Sequence, residues 1–274
     1  MSAGRIEACF AALAREGRAA FAPYVMAGDP DTDTAWRILK GLPAAGADLI
    51  ELGLPFSDPM ADGPTVQRGA ARALAAGMDT RGVLALARRF RAGDPMTPVV
   101  LMGYYNPILN FGLDAFAAAA AEAGVDGLIM VDVPPEESDP LADALEARGV
   151  ALIRLATPTT DEARLAIVAR RSGGFVYFVS VTGVTGVKEA DAAAIADQVT
   201  RARDATGLPV AVGFGIRTAA RAAEVARIAD AVVVGSALVE EIAQSVALKR
   251  DPAPKVLDTV AAMAQAVRSA RVSG

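Results

Sequence analysis

Short apolar runs alternate along this chain with longer alanine- and arginine-rich stretches of helical periodicity. The runs at 21–27, 47–53, 98–104, 127–133, 151–156, 175–180, 209–213 and 231–234 have the length and composition of strands. Between them, 114–123, 136–148, 161–171, 191–205 and 218–228 place apolar residues on one face of a helix. Strand, helix, strand at this spacing makes right-handed parallel units, and eight of them in roughly 250 residues match a (βα)₈ TIM barrel. The competing doubly wound sheet normally carries Gly-x-Gly-x-x-Gly after its first strand. Here that strand ends Met26-Ala27-Gly28-Asp29-Pro30, which does not fit. No Pro/Ser-rich linker divides the chain, so the pattern predicts a single α/β barrel domain over 1–274. Residues 5–17 are expected as an extra N-terminal helix covering the barrel floor. A short extra helix from Ser236 follows strand 8, and 258–270 forms the last outer helix.

Composition narrows the chemistry. At 274 residues and 53% hydrophobic, the chain can bury a large core, yet it has no uninterrupted apolar run of about 18 residues. Glu7 stands where a secretion signal would be apolar, so the expected compartment is the cytoplasm. The net charge is −5 and there is no basic tract, which argues against nucleic acid or membrane as partner. The single cysteine, Cys9, excludes an internal disulfide. Because histidine is absent as well, the usual zinc and redox-metal sites are excluded, while carboxylate-bound Mg²⁺ is not. Acid–base work must fall to carboxylates, tyrosine, lysine or cysteine.

Two carboxylates stand out. Glu51 lies in an apolar strand, and period-two alternation puts Leu49, Glu51 and Gly53 on one face. It sits near the strand's C-terminal end, where barrels place their chemistry. The alternative is a buried ion pair, with Arg154 of strand 5 as a possible partner. Asp62 follows in a loop stiffened by Pro55, Pro59 and Pro64, and is either a turn residue or a positioned acid. Gly213-Phe214-Gly215 ends strand 7, and Gly235-Ser236 ends strand 8 and opens a helix. Such turns either merely permit tight connections or form an anion cradle of backbone N–H groups. Gly183-Val184-Thr185-Gly186 could close over the same anion. Tyr177 is core filler or a site residue, and Tyr24, Met102, Tyr104 and Phe214 are either packing or the wall of a flat apolar pocket.

Together these segments closely resemble the tryptophan synthase alpha chain family. The resemblance rests on Pro23-Tyr24-Val25-Met26-Ala27-Gly28-Asp29-Pro30, the run from Glu51-Leu52-Gly53 through Asp62-Gly63-Pro64, and Met102-Gly103-Tyr104-Tyr105-Asn106-Pro107. It continues through Gly183–Gly186, Val212-Gly213-Phe214-Gly215-Ile216 and Gly235-Ser236-Ala237, in order over most of the chain. It implies reversible retro-aldol cleavage of indole-3-glycerol phosphate to indole and glyceraldehyde 3-phosphate. By position, Glu51 would be the general acid–base and Asp62 would hold the indole N–H, with Tyr177 supporting both. Tyr24, Met102, Tyr104, Thr185 and Phe214 would contact substrate, and Gly186, Gly213, Gly215, Gly235 and Ser236 would cradle phosphate. Thr185 would belong to a lid. One departure is Val181, where some relatives have arginine. The resemblance further implies no metal and no cofactor in this chain. The pyridoxal phosphate would sit in a beta chain partner, joined in an α₂β₂ complex through the 55–64 and Asn106-Pro107 loops. A free-standing lyase that releases indole is the alternative.

Overall fold

A computed structural model describes residues 3–179, 192–213 and 215–271. Eight parallel strands close a barrel in chain order: β1 (Ala20–Met26), β2 (Ile50–Gly53), β3 (Val99–Gly103), β4 (Gly127–Met130), β5 (Ala151–Ala156), β6 (Val176–Val179), β7 (Val210–Gly213) and β8 (Ala231–Val234). Pairing of Ala20 with Ala231 through Pro23 with Val234 joins β1 to β8 and closes the ring. Closure leaves no unpaired strand edge, so every strand can be apolar on both faces. The first helices are α1 (Ala3–Arg15), α2 (Thr32–Gly41), α3 (Pro64–Ala75), α4 (Thr80–Gly93), α5 (Tyr105–Phe111) and α6 (Leu113–Glu122). Then come α7 (Asp139–Glu146), α8 (Glu162–Ala169), α9 (Ala192–Thr206), α10 (Ala219–Ala226), α11 (Ser236–Ala247) and α12 (Pro252–Ser269).

The predicted floor helix is α1. Its apolar stripe Ile6, Phe10 and Leu13 is buried; Ile6 packs beneath Gly127 and Gly174, and the ring of Phe10 lies 5.7 Å from that of Phe175. The floor is also stitched by three aspartates that stand just before even-numbered strands. Asp48 accepts the Phe21 N–H at 2.9 Å and both Nη atoms of Arg18 at 2.9 Å. Asp126 accepts the Val99 N–H at 2.8 Å, Arg5 at 2.6 Å and Arg91 at 2.8 Å. Asp230 accepts the Val210 N–H at 2.8 Å and Arg203 at 3.0 Å. Each carboxylate thus ties the start of an odd strand to its neighbour, and an arginine supplies the compensating charge.

Several boundaries differ from the sequence expectation for identifiable reasons. The 47–53 run becomes a strand only from Ile50, because Asp48 is occupied with its floor contacts. The 127–133 run stops at Met130, and Asp132 turns aside to accept the Tyr105 N–H at 2.9 Å. The 136–148 helix is broken at Ser138 into a 3₁₀ turn, Pro135–Glu137, and α7, whose first turn contains Pro140. The last helix starts at Pro252, six residues earlier than expected, because Asp251 caps it by accepting the Ala253 N–H at 3.1 Å.

Asp126 is fully buried, and its removal strands two arginines. Asp126→Ala should therefore lower unfolding free energy by about 3 kcal/mol. Urea denaturation measures this, and a loss below about 0.5 kcal/mol would show that the stitch is unimportant.

Candidate active site

Glu51 is the second residue of β2, in register with Tyr24 of β1 and Val100 of β3, and is only 2% exposed. It lines a cavity at the C-terminal mouth of the barrel, which fixes its face as the interior one. Among the described residues its Oε1 has no hydrogen-bond partner. The loss of water, reinforced by the facing charge of Asp62, pushes its pKa up to about 8.

Asp62 reaches the same cavity from the connection between β2 and α3. That connection is braced. The Asp62 N–H donates to the Pro59 carbonyl at 3.0 Å, and the Gln67 side-chain amide donates to the carbonyls of Asp62 at 2.8 Å and Pro59 at 3.2 Å. The Ala61 N–H donates to the Tyr104 hydroxyl at 3.0 Å, and the Tyr104 ring rests 5.3 Å from that of Phe56. Desolvation raises the Asp62 pKa to about 6, while a hydrogen bond from the Tyr104 hydroxyl pulls it down. Both acids are raised by desolvation, Glu51 further than Asp62 because it is more deeply buried and faces the Asp62 charge.

Tyr24, Met102 and Tyr177 wall the cavity beside the acids. Both tyrosines are buried, and desolvation followed by the nearby carboxylate charges raises their pKa, so both hydroxyls stay protonated. Each lies across a glycine of the adjacent strand. A Cβ on Gly53 would stand 2.3 Å from the Tyr24 hydroxyl, and one on Gly213 would stand 2.0 Å from that of Tyr177. Gly215, Gly235 and Ser236 complete the wall, with Gly235 packed beside Tyr24. Ser236 opens α11 with no side-chain cap on the helix, so its N-terminal amides form the positive end of a dipole beside the cavity.

The structure thus brings together Glu51, Asp62, Tyr177, Tyr24, Met102, Gly215, Gly235 and Ser236. Two expected members stand behind the wall. Tyr104 is spent on the Asp62 loop, and buried Gly213 makes room for Tyr177. Thr185, Gly186 and Phe214 lie outside the described residues, as does Val181. The suggested Arg154–Glu51 pair does not form, because Arg154 lines a different cavity with α7. Sequence reading missed Ile216, Arg217 and Val66, which also line the mouth. Arg217 was detectable as a cation two residues beyond Gly215 in a loop already read as an anion cradle. Among the described residues, no cluster of acids and cysteine is placed to hold a metal ion.

This geometry has close relatives. The family model described as tryptophan synthase alpha chain matches residues 10–268. The chain belongs to the tryptophan synthase alpha chain family. The alpha chain of Phenylobacterium zucineum (strain HLK1) is 68% identical over 273 residues, covering 100% of this chain and 99% of that protein. That of Caulobacter vibrioides (strain NA1000 / CB15N) is 64% identical over 272 residues, with 99% of each covered. The crystal structure of the tryptophan synthase alpha subunit from Legionella pneumophila str. Paris superposes with a TM-score of 0.89 at 39% identity, covering 96% of this chain and 98% of that one. As a tryptophan synthase alpha chain, the protein is a carbon–carbon lyase of tryptophan biosynthesis that cleaves indole-3-glycerol phosphate and works with a beta chain.

Tyr104→Phe removes the donor that limits the rise of the Asp62 pKa. The acidic limb of the pH–rate profile for indole release should then move upward from about 6, with activity at neutral pH reduced. An unmoved limb would show that Tyr104 does not tune Asp62.

Proposed function

We propose that Glu51 carries the proton in both halves of the cleavage and that Asp62 holds the charge that develops between them. Glu51, protonated at the start, delivers its proton to C3 of the indole ring. The ring nitrogen becomes cationic, and the Asp62 carboxylate binds the N–H and lowers the energy of that charge. Glu51, now a carboxylate, takes the proton from the hydroxyl on the side-chain carbon bonded to C3. The carbon–carbon bond breaks, its electrons return to the ring, and indole and glyceraldehyde 3-phosphate leave. Glu51 ends the cycle protonated, as it began. The observation that carries this reading is a buried carboxyl, with an oxygen unpartnered among the described residues, that shares the cavity at the barrel mouth with a second acid.

Tyr24, Met102 and Tyr177 supply flat walls for the ring, while Gly215, Gly235 and Ser236 with the α11 N-terminus receive the phosphate. Tyr104 positions Asp62 without touching substrate. On the same reading the chain acts as one barrel unit in the cytoplasm and has no cofactor of its own. Pyridoxal phosphate belongs to the beta chain, and the two chains form an α₂β₂ complex. Met60, 82% exposed on the β2–α3 connection, and Leu109, 53% exposed on α5, support an apolar contact beside the mouth.

Glu51→Gln and Asp62→Asn should each lower turnover by about 10²- to 10⁴-fold with indole-3-glycerol phosphate still bound; near-normal turnover in either would remove that residue from its role. The rate should be bell-shaped in pH, falling below about 6 as Asp62 protonates and above about 8 as Glu51 ionises. Leu109→Glu should leave indole release by the isolated chain intact while weakening its stimulation by a beta chain. Unchanged stimulation would place the contact elsewhere.

A further inference from the structure

Beneath the connection from β4 to α7, outside the barrel wall, lies a second cavity lined by a buried cation and, among the described residues, by no acid. Ile153 packs towards Gly127, where Ile6 of the floor helix also reaches, so alternation along β5 turns Arg154 outward under α7. Arg154 is 6% exposed, and its Nε has no hydrogen-bond partner among the described residues. The acids whose charge reaches it are Asp139 and Glu136. Both are exposed and otherwise engaged, Glu136 with Arg164 and Asp139 with Arg171 at 3.4 Å. A guanidinium in this setting calls for an anionic partner.

The remaining walls describe that partner. The cavity is about 90 Å³, and Met130, Val133, Leu141, Leu152 and Leu155 make its lining largely aliphatic. Ser138 is the other polar side chain, and its hydroxyl is donated to the Pro135 carbonyl at 2.8 Å. A phosphate dianion would bring two charges to one guanidinium and set the excess against aliphatic carbon. A carboxylate matches the edge of the guanidinium, and a branched hydrocarbon tail matches the wall. At the volume of a water-sized unit, there is room for on the order of seven non-hydrogen atoms.

We propose that this cavity binds a short branched aliphatic monocarboxylate through Arg154, at a site separate from the one that holds Glu51 and Asp62. The test titrates isovalerate into the ¹⁵N-labelled full-length chain and follows the Arg154 Nε–H resonance, identified by its absence in Arg154→Lys. A saturable, millimolar shift is expected. It should persist in Glu51→Gln saturated with indole-3-glycerol phosphate, which fills the active-site cavity, and be absent with 3-methylbutan-1-ol, which has the same tail and no charge. Arg154→Met should weaken isovalerate at least about 10-fold. The proposal fails if the Arg154 resonance does not respond, if inorganic phosphate moves it as effectively as isovalerate, or if Arg154→Met binds as well as the parent chain. Should Arg154→Met not fold, the parent chain's response to isovalerate against the alcohol and phosphate decides the matter.

Discussion

A carboxylate taken out of water needs donors to replace the lost hydration, and the two ends of this barrel meet that need differently. At the floor, Asp48, Asp126 and Asp230 each receive a strand N–H and at least one arginine. Their charge is compensated, and the contacts fix how strands start relative to one another. At the mouth, Glu51 is buried more deeply than Asp48 or Asp230, yet among the described residues its Oε1 has no hydrogen-bond partner and a second acid faces it. Its charged form is disfavoured, so it keeps a proton that a solvated glutamate would have lost. The stability invested in the floor is what lets the mouth tolerate such a group.

The site is held by the same strands that bury it. Tyr24 and Tyr177 reach their places only because the adjacent strands end in Gly53 and Gly213, so the wall beside Glu51 is set by backbone approach. Asp62 comes from a loop, a less rigid origin, and the structure compensates locally. Prolines, the Gln67 amide and the Tyr104 hydroxyl all act on residues 59–62. The Tyr104 hydroxyl does two things at once: it fixes the loop backbone and limits how far burial raises the Asp62 pKa. Two groups of the same chemistry thus have their acidities shifted to different extents by their surroundings.

The barrel was legible because each β-rich apolar run is short and each intervening stretch has helical period, so element type and order followed directly. Boundaries were less legible where a side chain competes with the backbone, as Asp48, Asp132 and Asp251 do. Glu51 was conspicuous because an acid in an apolar strand violates the local pattern. The floor aspartates were not, since Asp126 and Asp230 precede their strands like turn residues and Asp48 lies at the start of the 47–53 run, away from the end where barrels place their chemistry. Pairing was the hardest inference: Arg154 sits on a strand, as Glu51 does, but alternation sends it to the opposite face. Gly213 and Tyr104 were grouped with the ligand contacts because proximity in the motifs does not distinguish a wall from the residue behind it. Phe214, Thr185 and Gly186 fall outside the described residues and add nothing either way.

The most direct test of the mechanism is the titration of Glu51 itself. With glutamate carboxyl carbons labelled and the Glu51 signal assigned by its loss in Glu51→Gln, the chemical shift can be followed from pH 4 to 10. A carboxyl desolvated beside Asp62 should titrate near about 8 and remain protonated at neutral pH. A midpoint in the ordinary carboxylate range would mean that Glu51 enters the reaction ionised, and would contradict a cycle that begins with its proton.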